Sequence, residues 1–152
     1  MALVKAKRDE MLGPLSAVSG IIERRHTLPI LSNVLIDRAD GVLSFLATDI
    51  EIQITARSSL AAGGEARPVT VGARKLVDIL RALPEDAEVT VAQQEKRLQV
   101  KAGKSRFTLQ TLPAEDFPRL ARPVGEVARF SLAQKALRRQ LGLVQYAMAQ
   151  QD

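Results

Sequence analysis

Apolar and polar residues follow two different spacings along this chain. Ile50, Ile52, Ile54 and Ala56 alternate with polar residues, which predicts a strand with one buried and one solvated face. Residues 7–22 instead carry apolar side chains every three or four positions, as an amphipathic helix does. The chain is therefore expected to combine helices with half-buried strands.

The first group of elements begins with a short extended segment and the helix over residues 7–22. Residues 33–39 and 42–48 then read as two strands joined by Asp40-Gly41, a dipeptide typical of a tight hairpin turn. The alternating stretch around Ile54 adds a third strand. This group thus has the order strand, helix, strand, strand, strand.

The same order follows a second time. A strand over 68–71 leads into a helix over 73–83, and three further strands are predicted at 88–92, 97–101 and 105–111. A repeated supersecondary unit indicates a repeated architecture. We therefore predict an α+β fold of two pseudo-repeated strand-helix-three-strand units, with the helices on one face of antiparallel sheets.

A third repeat begins after a proline-containing linker. Residues 126–130 read as a strand, and Ser131 with Gln134 forms a capping-box pattern at the start of a helix. The apolar side of that helix carries Leu137, Leu141, Val144 and Met148. Because three strands of this repeat would be missing, we predict one domain over 1–125 and a truncated second domain over 126–152.

Composition narrows the class of protein. A hydrophobic fraction of 46% and a charged fraction of 26% are typical of a folded globular domain. No cysteine is present, which excludes disulfides and thiolate metal sites. The amino terminus lacks the apolar core of a signal peptide, so we expect a cytoplasmic protein. The net charge of +5 weakly favours a polyanionic partner.

Residues for catalysis are hard to find. The single histidine, His26, cannot form a two-histidine metal site, and no Ser/His/Asp set or phosphate-binding glycine loop is evident. Asp49 and Glu51 point the same way on a predicted strand, and two interpretations are open: a metal site or a solvated face. Without a third ligand nearby we favour the solvated face. We expect a non-enzymatic protein with no metal and no cofactor.

Basic residues recur at equivalent places in the repeats. Arg24 and Arg25 follow the first helix, and Arg74 and Arg81 share one face of the second helix with Asp78 between them. The third helix repeats a basic face with Lys135, Arg138 and Arg139. These residues are either solvated surface or contacts to phosphates, which need charge and reach rather than fixed geometry. A basic polar side on all three helices favours the second interpretation.

Several motifs together resemble the bacterial DNA polymerase III β subunit family, the β sliding clamps. They are TLPILSN at 27–33, ATDIE at 47–51, ARK at 73–75, SRFTL at 105–109, TLPAEDFP at 111–118 and YAMAQQD at 146–152. The resemblance runs the length of the chain. It implies a three-domain protomer that joins a second copy head to tail around duplex DNA and tethers the replicative polymerase, with helices lining the hole. This chain would hold the first domain and the opening strand and helix of the second.

The resemblance also implies roles for individual residues. Arg25, Arg74 and Gln151 match positions at which the family touches DNA, and Gln150 precedes the last of them. We therefore expect DNA contact from Arg24, Arg25, Arg74, Arg81, Lys135, Arg138, Arg139, Gln150 and Gln151. Polymerase and clamp-loader peptides bind the family between its second and third domains, which are mostly beyond this sequence.

Phe107 and Leu109 alternate with polar residues on a predicted strand. They are either core residues or apolar anchors of an interface, and the resemblance favours the interface because clamps pair this edge with an acidic edge of the partner. We expect the protomer interface to include Lys75, Arg97, Lys104, Arg106, Phe107 and Leu109.

Two other classes of function stay open from the sequence. A stand-alone basic nucleic-acid-binding module would need aromatic platforms for single strands, and four Phe with one Tyr offer few. An enzyme would need a site that the sequence does not reveal. A nuclease assay on variants of His26, Asp49 and Glu51 would test whether the protein is such an enzyme.

Overall fold

The computed structural model of the chain describes residues 2–22, 28–39, 41–59, 66–121, 125 and 128–148. The chain divides into two compact units, Met1–Leu120 and Ala121–Asp152. The predicted domain boundary, after residue 125, falls within the second of these units.

The repeated order of strand, helix and three strands is confirmed. In its described residues the first unit contains β1 Ala2–Lys7, α1 Arg8–Ser19, β2 Asn33–Ala39, β3 Val42–Thr48, β4 Gln53–Ser59, β5 Ala66–Gly72, α2 Ala73–Ala82, β6 Glu88–Gln94, β7 Arg97–Ala102 and β8 Ser105–Leu112. The predicted hairpin joins β2 and β3, where Ala39 pairs with Val42 and Gly41 adopts a φ of 72°. Glycine adopts that left-handed conformation without steric cost. Asp40 lies outside the described residues.

The strands form one antiparallel sheet in the order β1-β6-β7-β8-β5-β2-β3-β4. The first strand of each repeat therefore pairs with the other repeat: β1 with β6, and β5 with β2. Two half-sheets result, and they meet where β5 pairs with β8 at only two positions, Thr70 with Leu112 and Val71 with Thr111. This exchange could not be predicted from the sequence pattern, because alternation identifies strands without identifying their partners.

The two helices of the first unit pack side by side against the sheet. Helix α1 contacts β3 and β4, and α2 contacts β2 and β5. The helices bury Met11, Leu15, Val18, Leu76, Val77 and Leu80. The strand residues of the same hydrophobic core include Val34, Ile36, Leu43, Phe45, Val69 and Val71. Each fully buried Leu, Ile or Val contributes about 1.5–3 kcal/mol.

Arg8, the first residue of α1, is hydrogen-bonded to the last turn of α2 and to the chain that follows it. Its amide donates a hydrogen bond to the carbonyl oxygen of Ala87 over 2.9 Å, and its Nε donates to the carbonyl oxygen of Leu80 over 2.9 Å. Leu80 lies in the last turn of α2, where its carbonyl oxygen also accepts a hydrogen bond from the amide of Leu83 at 3.3 Å and where a positive charge is favourable. A side chain from the first repeat therefore completes the helix of the second.

The strand predicted around Ile54 is shorter than expected. Ile50 and Ile52 are not in β4; they lie in a turn and are 48% and 56% exposed. The carboxylate of Asp49 organises this turn by accepting hydrogen bonds from the amides of Glu51 and Ile52, at 3.0 and 2.7 Å. Such local side-chain bonds compete with strand pairing. The prediction of a buried face is therefore wrong at Ile50 and Ile52, and also at Ile54, which lies in β4 but is 36% exposed; only Ala56 of the four packs against the core.

The second unit contains α3 Gln134–Val144. The predicted capping role of Ser131 is wrong, because the helix begins at Gln134 with Ala133 as its N-cap and without a side-chain cap. The predicted strand at 126–130 is also not formed over its described residues, 128–130. Every strand that the described residues form belongs to the first unit, and a single extended segment without further strands in its own unit is not stable as a strand.

Candidate nucleic-acid interface

Helix α2 presents a polar face with two arginines. Arg74, Asp78 and Arg81 are exposed, on the side opposite the buried Leu76 and Leu80. Their Cα atoms span about 10 Å along the helix axis, from the rise of 1.5 Å per residue. The ion pairs formed by described side chains are Lys5–Glu88 and Arg8–Asp9, so neither guanidinium is paired with Asp78. Both arginines are therefore available to phosphate oxygens.

Helix α1 lacks such a face. Its exposed residues include Asp9, Glu10, Gly13 and Ala17, which are acidic or small. The carboxylate of Glu10 accepts a hydrogen bond from the amide of Lys7 at 2.9 Å, so this acid serves the start of the helix. The prediction that all three helices are basic on their polar side is therefore wrong for α1.

Helix α3 carries three exposed cations, Lys135, Arg138 and Arg139. Its apolar positions are also exposed: Leu137, Leu141, Val144 and Met148. The amphipathic spacing is thus present as predicted, but the apolar side is not buried within the chain. Helix α3 therefore presents a basic side, and none of its residues is buried in the described part of the chain.

Four predicted DNA contacts lie outside the described residues. They are Arg24 and Arg25 in the connection after α1, and Gln150 and Gln151 near the end of the chain. Their roles stay predictions, and His26 lies in the same undescribed segment.

Strand β8 has one unpaired edge over most of its length. It pairs with β7 from Ser105 to Gln110, whereas β5 reaches it only at Thr111 and Leu112. Phe107 is partly buried against the core, and Leu109 is a core residue at 8% exposure. Leu109 is thus packed within the chain, which leaves Phe107 as the larger accessible apolar side chain of the predicted pair.

Three of the four cations predicted for the interface lie on the β7–β8 hairpin, and the fourth, Lys75, lies on α2. Lys75, Arg97, Lys104 and Arg106 are all exposed and take part in no ion pair among the described residues. The register of the hairpin adds a fifth cation, Lys101, which lies on β7 directly opposite Arg106 of β8. The sequence analysis did not predict a role for Lys101, because its position opposite Arg106 follows only from the register of β7 with β8. Like charges directly opposite repel, so this edge favours an acidic neighbour.

Asp49 and Glu51 do not share a strand face, since both lie in the turn before β4. One carboxylate oxygen of Asp49 already accepts two backbone amides. Within the described ranges, no group of three acidic or histidine side chains is arranged to hold a metal ion. Helices of the described chain are all too short or too polar to cross a membrane.

Comparison with known proteins is consistent across sequence and structure. Residues 3–121 match the family model described as DNA polymerase III beta subunit, N-terminal domain. The beta sliding clamp of Pseudomonas aeruginosa is 47% identical over 146 residues, and that of Escherichia coli K12 is 46% identical over the same length. Each alignment covers 96% of this chain and 40% of the relative, so the chain spans about two fifths of these relatives.

Solved structures agree with this assignment. The DNA polymerase III subunit beta of P. aeruginosa superposes with a TM-score of 0.90 at 45% identity, covering 100% of this chain and 41% of that one. The pol III beta of Caulobacter crescentus gives 0.89 at 33% identity, covering 100% and 40%. The predicted resemblance and fold class are confirmed, and this chain belongs to the DNA polymerase III beta subunit family.

Proposed function

We propose that this chain acts as part of a DNA sliding clamp, a processivity factor that holds a replicative polymerase on duplex DNA. The observation that carries the proposal is the match to the family's amino-terminal domain over residues 3–121, in a chain whose second helix exposes two unpaired arginines. In a longer protein of this family, two copies would join head to tail and enclose the duplex. The whole activity belongs to that assembly.

The chemistry suits contact with phosphates rather than with bases. Arg74 and Arg81 are exposed charged groups on one helix face, and phosphate contact requires charge and reach only. Contact of this kind contributes affinity equally at every base pair. A ring that slides needs such neutrality, because base-specific hydrogen bonds would hold it at particular sequences.

The unpaired edge of β8 supports a role in joining protomers. Strand edges pair readily with a further strand, and Phe107 adds an apolar contact there. Lys75, Arg97, Lys104 and Arg106 would attract an acidic edge on the partner protomer.

The chain would serve as an accessory subunit of the polymerase without chemistry of its own. Polymerase and clamp loader would bind parts of a longer protein that lie beyond these residues. The proposed place of action is the cytoplasm, where a bacterial chromosome is replicated.

Fluorescence anisotropy with two unrelated duplexes of about 30 base pairs tests the DNA-contact proposal. Binding should be weak, equal for both duplexes, and steeply dependent on salt between about 50 and 200 mM. Changing Arg74 and Arg81 together to Ala should reduce the log–log salt slope by about 1–2, at about 0.9 per phosphate contact. Arg57→Ala, an exposed cation on β4, is the matched control and should change the slope little.

Two results would contradict this proposal. A preference for one duplex above about tenfold would indicate base readout. An equal loss in Arg57→Ala would show that total charge, rather than the face of α2, determines binding.

A second function, binding of single-stranded nucleic acid, is favoured by one observation. Phe130 and Tyr146 in the second unit are 81% and 89% exposed, and exposed aromatic rings can stack on bases. Single-stranded DNA that binds more tightly than the duplex, with a loss of about tenfold or more in Tyr146→Ala, would support this alternative.

A further inference from the structure

A cavity of about 850 Å³ opens in the first unit at the place where the two half-sheets separate. One wall is the start of β5, from Arg67 to Val69, and the opposite wall is the chain that leaves β8 at Leu112. The turn between β6 and β7 closes one end with Glu95 and Lys96. The cavity exists because β5 and β8 pair at two positions only and then diverge.

The floor of the cavity is apolar. Val69 and Phe117 are buried beneath it, and Leu112 is 40% exposed at its mouth. Pro68 and Pro113 complete this apolar lining, one on each wall. An apolar floor of this size matches the sites that bind large apolar side chains or small ligands in other proteins.

The rim of the cavity carries charges of both signs, with cations in excess. Arg67, Lys96 and Arg119 are basic, whereas Glu95 and Glu115 are acidic. All five are exposed, and none forms an ion pair among the described residues. Three cations at the mouth of an apolar cavity, in a chain of net charge +5, would attract an acidic ligand.

The walls are poorly suited to binding an added strand. Proline lacks the amide hydrogen that a new strand would need, and one proline lies on each wall. Recognition here would therefore depend on side chains: an apolar group on the floor and carboxylates at the rim.

We propose that this cavity is a docking site for a short acidic peptide segment of a partner protein, with one large apolar side chain inserted between Val69, Leu112 and Phe117. The carboxylates beside that side chain pair with Arg67, Lys96 and Arg119. This proposal does not depend on DNA contact, since the cavity and the arginines of α2 share no residue.

The test is titration of the isotopically labelled full chain, followed by NMR, with a capped pentapeptide that has one leucine flanked by two aspartates on each side. Amide shifts should concentrate at residues 67–69, 93–96 and 111–119. Replacing the leucine of the probe by alanine should weaken binding about tenfold, the amount expected for an apolar side chain of this size. The Arg67→Glu/Arg119→Glu variant should weaken binding by about tenfold or more.

The matched control is Arg57→Glu/Lys101→Glu, which reverses two exposed cations of the first unit that do not line the cavity and should alter affinity by less than about twofold. The proposal is overturned if no shifts appear up to about 10 mM peptide, or if both double variants lose affinity equally. It is also overturned if the alanine probe binds as well as the leucine probe, or if a short duplex DNA produces the same shifts at these residues. The last two results would mean a general polyanion surface.

Discussion

The hydroxyl of Thr70 both donates a hydrogen bond of 2.7 Å to the carbonyl oxygen of Leu112 and accepts one of 3.2 Å from the amide of Leu112. Asn33 donates a further hydrogen bond of 3.2 Å from its Nδ2 to the hydroxyl oxygen of Thr70. Because β5 and β8 share only two paired positions, this buried hydroxyl reinforces the seam between the half-sheets.

Thr70→Val should destabilise the first unit. Valine keeps the shape of threonine but removes the donor and leaves the polar groups of Asn33 and Leu112 without this partner. A buried polar group left unsatisfied costs about 1–3 kcal/mol. Urea unfolding should show that loss, while Thr70→Ser retains most of the stability. Equal stability of the valine variant and the wild type would show that the seam does not depend on this oxygen.

Arg38 offers the opposite case, a buried cation with little to hold it. It is 4% exposed and donates from Nη1 to the carbonyl oxygen of Leu3 at 2.8 Å, but its Nε and Nη2 have no hydrogen-bond partner among the residues that the structure describes. Replacing a poorly satisfied buried charge by an apolar residue of similar size is often neutral or stabilising. We expect the free energy of unfolding of Arg38→Met to lie within about 1 kcal/mol of the wild-type value or to exceed it, as measured by urea unfolding.

Arg38→Ala is the comparison for that variant, since it removes volume as well as charge and should lower the unfolding free energy by about 2 kcal/mol or more. If Arg38→Met loses as much stability as Arg38→Ala, the bond to Leu3 outweighs the burial of the guanidinium.

Phe107→Glu should reduce concentration-dependent self-association of the chain. The unpaired edge of β8 and this partly exposed ring form a surface that pairs with other edges. Sedimentation velocity over a range of concentrations measures the effect. Thr108→Glu is the matched control, because Thr108 is exposed on the other face of the same strand. Indistinguishable sedimentation of Phe107→Glu and the wild type would count against association through this edge.

Deleting residues 126–152 should leave the first unit folded with little change in melting temperature. The cut lies beyond Leu120, whose amide donates to the Oε1 of Gln53 at 3.0 Å, and the described residues of the deleted segment are exposed. We also expect the oligomeric state to change, because the exposed apolar side of α3 favours exchange with a second copy. Calorimetry and light scattering measure the two effects. Unfolding of the shortened chain would place the segment in the core of the first unit.

The sequence predicted the elements of this fold better than their partners. Residues 42–48 are rich in apolar residues and predict a strand, and β3 has the predicted bounds. Ile50 and Ile52 share the alternation of Ile54 and Ala56, yet the carboxylate of Asp49 accepts hydrogen bonds from the amides of Glu51 and Ile52 and keeps both residues out of the strand. A local hydrogen bond of this kind is invisible to a count of apolar positions.

The candidate sites show the same limit. Arg74 and Arg81 could be assigned to one exposed face because helical spacing fixes direction. Leu109 could not be separated from Phe107 in the same way, since both lie on one side of β8 and only the packing of the core buries Leu109 more deeply. The spacing of residues along an element predicts which face a side chain lies on, whereas the depth of its burial depends on the elements that pack against that face.

The exchange of first strands between the repeats has a consequence for synthesis on the ribosome. Strand β1 leaves the exit tunnel well before its partner β6, which ends at Gln94. The register joins Lys7 to Glu88, so the nascent chain must hold β1 unpaired until most of the first unit has emerged. Contacts between such distant residues form late and slow folding. During that interval the side chains of Leu3 and Val4, which are buried in the folded chain, lack their strand partner, and exposed apolar segments of a partly folded chain favour aggregation.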